Sequence, residues 1–165
     1  MKKLLTLFTG ILVAGAFAGP LAAQTLEPWG EVAGWDVMID PTLGDGCLIQ
    51  AEYQDGSVVR IGFDRNEGGG YVTAFNDNWG EIEEGEIYPI TFDLDNQSYD
   101  GEAKGIYLND VPGADIAFTN PDFLFDLAKR YTMTLYYDGA EVMAIDLGGS
   151  YAGLEAAIEC QEEIG

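Results

Sequence analysis

Residues 47–63 read CLIQAEYQDGSVVRIGF. Cys47, Ile49, Ala51 and Tyr53 fall on one face of an extended chain, with Gln50, Glu52 and Gln54 on the other. After Asp55-Gly56 the pattern resumes, Val59, Ile61 and Phe63 alternating with Arg60, Gly62 and Asp64. A period of two marks a half-buried strand. Two such runs around Asp-Gly are a strong short-range hairpin signal, because glycine supplies the positive φ that a tight turn needs.

The same grammar extends in both directions. Upstream, Trp35, Val37 and Ile39 alternate with Asp36, Met38 and Asp40, and Pro41 to Gly46 is turn chemistry. Residues 24–34, with Pro28, Trp29 and Gly30, read as an irregular lead-in. Downstream, Arg65 to Gly70 is a Gly-rich loop, and a short strand spans Tyr71 to Phe75. A strand follows near Tyr88, with Pro89 suggesting an edge position or a strand start. Ile90, Phe92 and Leu94 point one way. One or two more strands are expected between Tyr99 and Phe118, with Asp100-Gly101 and Pro112-Gly113 as turns. A second Asp-Gly hairpin joins Tyr131–Tyr137 to Ala140–Leu147.

Two segments switch to helical spacing. Asn120-Pro121 opens a short helix carrying Phe123, Leu124, Leu127 and Ala128 on one stripe. Ser150 is placed to cap a final helix on which Gly153, Ala156, Ala157 and Cys160 share a face of small residues. Such a face lets a helix approach a sheet closely. The predicted class is mostly β: an antiparallel β-sandwich or strongly curved sheet of about eight strands, with a short helix near 121–129 and a C-terminal helix near 151–162.

The first residues set the compartment. Lys2 and Lys3 precede an uncharged apolar run, Leu4 to Ala18, and small residues lead to Ala23. This is the order of a secretory signal peptide over 1–23, with Ala18 as the alternative cut. The apolar run is too short to cross a bilayer as a helix. Residues 24–165 then form a single domain, long enough to bury a core. The expected localisation is periplasmic or secreted.

Cys47 and Cys160 are the only cysteines, and in an oxidising compartment they pair in one way. A bridge between them closes most of the chain and contributes on the order of 5 kcal/mol at most in the chain-entropy model.

Composition excludes several activities. Lys2 and Lys3 are two of the seven basic residues, and all 29 acidic residues follow them, leaving the domain at a formal −24. Nucleic acid and anionic membranes need a basic surface that Arg60, Arg65, Lys104, Lys129 and Arg130 cannot supply. The chain has no histidine, hence no Ser-His-Asp or Cys-His pair and no histidine metal site. Gly68, Gly69 and Gly70 lack the lysine and the strand-to-helix context of a phosphate loop. Carboxylates are abundant, so a glycosidase-like pair is conceivable anywhere and indicated nowhere. Asp93, Asp95, Asn96, Asp100 and Glu102 form a loose set of oxygen donors, yet the sixth and twelfth positions of an EF-hand counted from Asp93 are Ser98 and Lys104. Asn76, Asp77 and Asn78 are a second such cluster. Trp29, Trp35 and Trp79, with nearby Tyr and Phe, offer either core or a sugar- or peptide-stacking surface; core is favoured, as the alternation at Trp35 supports, and Trp79 reads as the partly exposed one.

Three segments carry a resemblance. They are Gly34-Trp35-Asp36-Val37 followed by Cys47; Leu135 to Gly139 with Val142; and Leu147-Gly148-Gly149-Ser150-Tyr151-Ala152-Gly153-Leu154-Glu155-Ala156-Ala157. Together they resemble small exported proteobacterial domains of the invasion-associated locus B type. About 30 positions match, residues 55–120 do not, and the second cysteine pair frequent in such domains is absent. The resemblance implies a β-rich envelope domain with no catalytic residues to carry over.

The expectation is an exported, non-enzymatic, monomeric envelope module that binds a protein or envelope polymer through loops or a sheet edge. It has no assigned catalytic, cofactor or metal residue; Cys47 and Cys160 are its only marked positions. A carboxylate-dependent hydrolase and a calcium-stabilised structural protein are the alternatives.

Overall fold

Alternation, turns and the two helical segments fold into one continuous antiparallel sheet in the computed structural model, which describes residues 25–165. The signal peptide expected over 1–23 lies outside the described residues. The strands are β1 (Glu27–Val32), β2 (Trp35–Asp40), β3 (Gly46–Glu52), β4 (Val58–Asp64), β5 (Gly69–Phe75), β6 (Ile87–Leu94), β7 (Gln97–Leu108), β8 (Val111–Phe118), β9 (Thr132–Tyr137) and β10 (Ala140–Asp146). The helices are α1 (Phe123–Ala128) and α2 (Ser150–Ile164). Spatial order is β1-β2-β3-β4-β5-β8-β7-β6-β9-β10, so β1 and β10 are free edges and the sheet is not closed.

The register explains why one face is dry. Val37 on β2 meets Ile49, Ile49 meets Ile61, Ile61 meets Val72, and Val72 meets Ile116. On the other half, Phe92 meets Leu135, and Leu135 meets Met143. Each strand puts its apolar alternation on the same face. These side chains from both halves join a single buried cluster with Leu124, Leu127, Leu154 and Cys160, so the sheet curls around its own apolar face. One continuous, unclosed antiparallel sheet is the form adopted, in keeping with the expected sandwich or strongly curved sheet.

One end of the curl is plugged. Phe92 stacks on Tyr99 at 5.2 Å, while Phe118 and Phe123 close edge and tilted contacts around them. Leu124 of α1 sits against Gly70, where an added Cβ would lie 2.7 Å from its methyl. The Gly-rich segment thus makes room for α1. Helix α2 lies on β2 and β3. Gly153 faces Ile49, whose methyls would be 3.2 Å from an added Cβ, and Cys160 is bridged to Cys47 with Cα atoms 6.2 Å apart. The small-residue face and the disulfide act together as expected.

Several local expectations need correction. Residues 27–32 form β1 rather than an irregular lead-in: Pro28 and Gly30 are accommodated because the strand is an edge with a bulge between them. Asp100-Gly101 and Pro112-Gly113 are not turns but lie inside β7 and β8. The turn between these strands is Asn109-Asp110, both left-handed at φ 48° and 69°. Gly101 is instead a strand glycine under the Phe92 ring, and Gly113 lies under Phe75. Ser150 is not the cap of α2. Gly149, left-handed at φ 79°, holds that position, and Ser150 is the first helical residue. The two helices run slightly differently from their expected spans, 123–128 and 150–164. Asn120 does not cap α1 either: Asp122 holds the cap position, and the Asn120 side-chain oxygen accepts from the Asp122 N–H at 3.1 Å in the turn before it.

Candidate functional site: an aromatic mouth

The end of the curl opposite the α1 plug is open. Ile90 on β6, Ala114 and Ile116 on β8 and Leu135 on β9 continue the inner apolar face to this end and floor a cavity of about 430 Å³. Trp79 spans the opening. It ends a short 3-10 turn, Asp77–Trp79, that leaves β5, and its indole N–H donates to the Val142 carbonyl on edge strand β10 at 3.1 Å. Tyr88 and Tyr137 form the facing wall, ring edge to ring face at 5.7 Å and 83°. Tyr137 is 45 % exposed although it sits at the end of an apolar alternation. A concave, mostly apolar cavity with a few converging polar groups at the mouth of a curled sheet is the usual form of a ligand site.

The rim is built from a loop held in place by specific bonds. The Tyr107 hydroxyl donates to the Ile82 carbonyl at 2.6 Å and accepts from its N–H at 3.2 Å. The Tyr88 hydroxyl accepts from the Glu83 N–H at 2.9 Å. Gly105 exchanges backbone bonds with Gly85 and Glu86, each 2.8 Å, and an added Cβ there would lie 2.3 Å from the Glu83 carbonyl oxygen. This loop carries Glu81 to the rim, and β10 brings Glu141. Asn76 and Asn78 also line it, with the Asn76 side chain accepting from the Asn78 N–H at 2.8 Å. None of Arg60, Arg65, Lys104, Lys129 or Arg130 lines the cavity.

The outer face carries a different arrangement. A transverse row crosses the sheet in register: Asp36, Gln50, Arg60, Thr73, Asp115, Lys104. Arg60 donates from Nε to Gln50 at 2.8 Å and lies over the Phe75 ring at 5.5 Å. Thr73 donates to Asp115 at 3.0 Å. Burial raises the Asp115 carboxyl above its ordinary range, offset by the Thr73 hydroxyl and by Lys104. Burial also lowers the Arg60 guanidinium and raises the Tyr71 hydroxyl. A cavity of about 500 Å³ over this row is lined by Asp40, Asp64, Glu67 and Asp115. Here Asp115 is engaged by a threonine and faces a lysine across the ladder, an arrangement suited to joining strands rather than to sharing a proton between two carboxylates.

The first oxygen-donor set, Asp93 to Glu102, is engaged by strand and turn contacts, while Asn76 and Asn78 of the second lie together on the mouth. Asp95 accepts from the Tyr131 and Thr132 N–H groups at 3.0 Å each, and Asp93 accepts from the Ser98 hydroxyl at 2.5 Å. Asp100 pairs across the ladder with Thr91. Among the described residues no three His, Cys, Asp or Glu side chains converge to hold a metal ion. The edges are also engaged. On β10 the Val142 and Asp146 carbonyls accept from Trp79 and Tyr53, and β1 carries a proline and a bulge. Such edges resist pairing with another strand. The mouth itself was not legible beforehand. Trp79 is half-buried, in keeping with its expected partial exposure; its neighbours Tyr88 and Tyr137 carry no signal beyond strand alternation.

No family model matches the chain, and no curated protein matches it in sequence. The crystal structure of invasion associated protein B from Bartonella henselae matches it in fold with a TM-score of 0.59 at 12 % identity, over 84 % of this chain and 99 % of that one. The resemblance read from Trp35, Cys47 and the closing helix is therefore met at the level of fold, across nearly the full length of that neighbour.

Proposed function

We propose that this chain is an exported, non-enzymatic envelope module that binds a partner, protein or polymer, through the aromatic mouth of its curled sheet. The observation that carries this reading is the cavity under Trp79, apolar in its floor and held open by a fixed rim loop. A cavity with its rim ordered in advance lowers the entropic cost of binding. The blocked edges favour the mouth over strand addition as the contact surface. Export is supported by the basic-apolar-small leader and by a disulfide that an oxidising compartment maintains. Among the described residues no helix is long and apolar enough to cross a membrane. The fold neighbour's description as invasion associated agrees with a role at the cell envelope.

Site-specific photo-crosslinking in the native organism tests the reading. A crosslinker at Tyr137, on the mouth, is expected to trap one discrete partner. The same group at Ala117, exposed on the outer face, is expected to trap none. Equal yields at both positions, or trapping at Ala117 alone, would overturn it.

A further inference from the structure

We infer that the mouth accepts a basic peptide segment, one apolar side chain entering the cavity while flanking lysine or arginine side chains meet its rim. This rests on the binding role proposed above and names the chemistry of the partner.

Three observations converge on it. The floor is aliphatic, formed by Ile90, Ile116 and Leu135, and a polyhydroxylated sugar placed there would lose water without gaining partners. An aliphatic or aromatic side chain has no such penalty, and about 430 Å³ is ample for one. The rim is anionic on both sides, Glu81 from the loop and Glu141 from β10, both exposed, and Glu83, Glu84 and Glu86 extend the same sign along the loop. Among the described residues no lysine or arginine lines the cavity, so none of them neutralises these carboxylates. Trp79, Tyr88 and Tyr137 add π faces at the entrance that attract an ammonium or guanidinium group. The domain as a whole, with 29 acidic residues in the chain, also steers cations toward itself.

The test titrates the disulfide-bonded protein with the blocked tripeptides Lys-Leu-Lys, Lys-Ser-Lys and Glu-Leu-Glu and with a neutral N-acetylglucosamine trimer. The Trp79 indole N–H and the Ile116 methyls are followed by NMR. Lys-Leu-Lys is expected to shift these signals, and the other three probes are expected to leave them unmoved. The double variant E81Q/E141Q alters only exposed rim groups and should weaken Lys-Leu-Lys about fivefold, as should added salt. Equal binding of Glu-Leu-Glu or of the sugar would overturn the inference, as would undiminished affinity in the double variant or no shift with any probe. Crosslinking at Tyr137 separates the two levels: a partner trapped there without any Lys-Leu-Lys response leaves the mouth as the binding surface and removes only the basic-peptide chemistry.

Discussion

The Tyr53 hydroxyl donates to the Asp146 carbonyl at 2.8 Å, joining the end of β3 to the end of β10 across the open side of the sheet. Two indoles do the same nearby: Trp35 donates to the Gly148 carbonyl at 2.9 Å and Trp79 to that of Val142 at 3.1 Å. Three aromatic donors thus hold the last strand and its exit loop against the first half of the fold. The curl is maintained without a closed ladder, and the carbonyls of an edge strand are satisfied.

The Tyr53 tie is sensitive to alkali. Burial, followed by the Asp146 carboxylate, raises the hydroxyl from 10.0 to about 12. The folded value lies above the unfolded one, so the contribution of this group is complete below pH 10 and is lost as pH climbs through about 12. Tyr53→Phe is expected to cost about 1 kcal/mol at neutral pH. Urea midpoints measured from pH 8 to pH 12 should show the gap between wild type and variant closing in the alkaline range. A gap constant across that range would refute the assignment.

The disulfide constrains a separation of 113 residues. Reduction, or the pair of changes Cys47→Ala and Cys160→Ala, is expected to lower unfolding free energy by about 3–5 kcal/mol. Because Cys160 is fully buried against β3, α2 should become the first segment to exchange its amide hydrogens after reduction. Hydrogen exchange with and without reductant measures both effects.

Two outer-face aromatics lie directly opposite glycines in the ladder, Tyr71 on Gly62 and Phe75 on Gly113. An alanine Cβ at Gly62 would lie 2.5 Å from the Leu48 Cβ and 2.7 Å from the Tyr71 hydroxyl oxygen. Gly62→Ala is expected to destabilise by about 2–3 kcal/mol through overpacking. Gly30→Ala, where nothing lies within 4 Å, is the control and should be neutral or slightly stabilising. Thermal unfolding of the two variants decides the matter, and equal losses would contradict the packing argument.

Ser150 offers a gain. Its hydroxyl is fully buried and has no hydrogen-bond partner among the described residues, the cap position belonging to Gly149. Ser150→Ala removes an unsatisfied polar group with little change of shape and should stabilise the protein by about 1 kcal/mol. A loss of stability on chemical denaturation would mean that the hydroxyl is bonded after all.

Charge repulsion gives the last expectation. Among the described residues one ion pair forms, Lys129 with Asp126 at 3.3 Å, both exposed, so little of the negative charge of the 29 acidic residues is offset by ion pairing. Screening by salt should raise the melting temperature between low and physiological ionic strength. A melting temperature that falls with added NaCl would show that attraction, not repulsion, dominates the surface.

The strands flanking Asp55-Gly56 and Asp138-Gly139 were fixed by local alternation, because a period of two and a left-handed turn are properties of a few consecutive residues. The pairing of Cys47 with Cys160 followed from number and compartment, and the small face of α2 from helical spacing. Glycine is locally ambiguous between turn and close packing. At Gly101 and Gly113 it read as a turn, but its role was to lie beneath Phe92 and Phe75, ring contacts supplied by other strands. Strand β1 has no legible local signal, since only an edge tolerates its proline and edge status depends on sheet order.

The residues by themselves determined a β-rich, acidic, disulfide-closed domain, through periodicity, charge and cysteine number, all of which are local or additive. Only the tertiary structure decided that the sheet curls into one piece and leaves an aromatic mouth. Trp79, Tyr88, Leu135 and Val142 become neighbours through strand order and long-range bonds, and no spacing along the chain encodes that meeting.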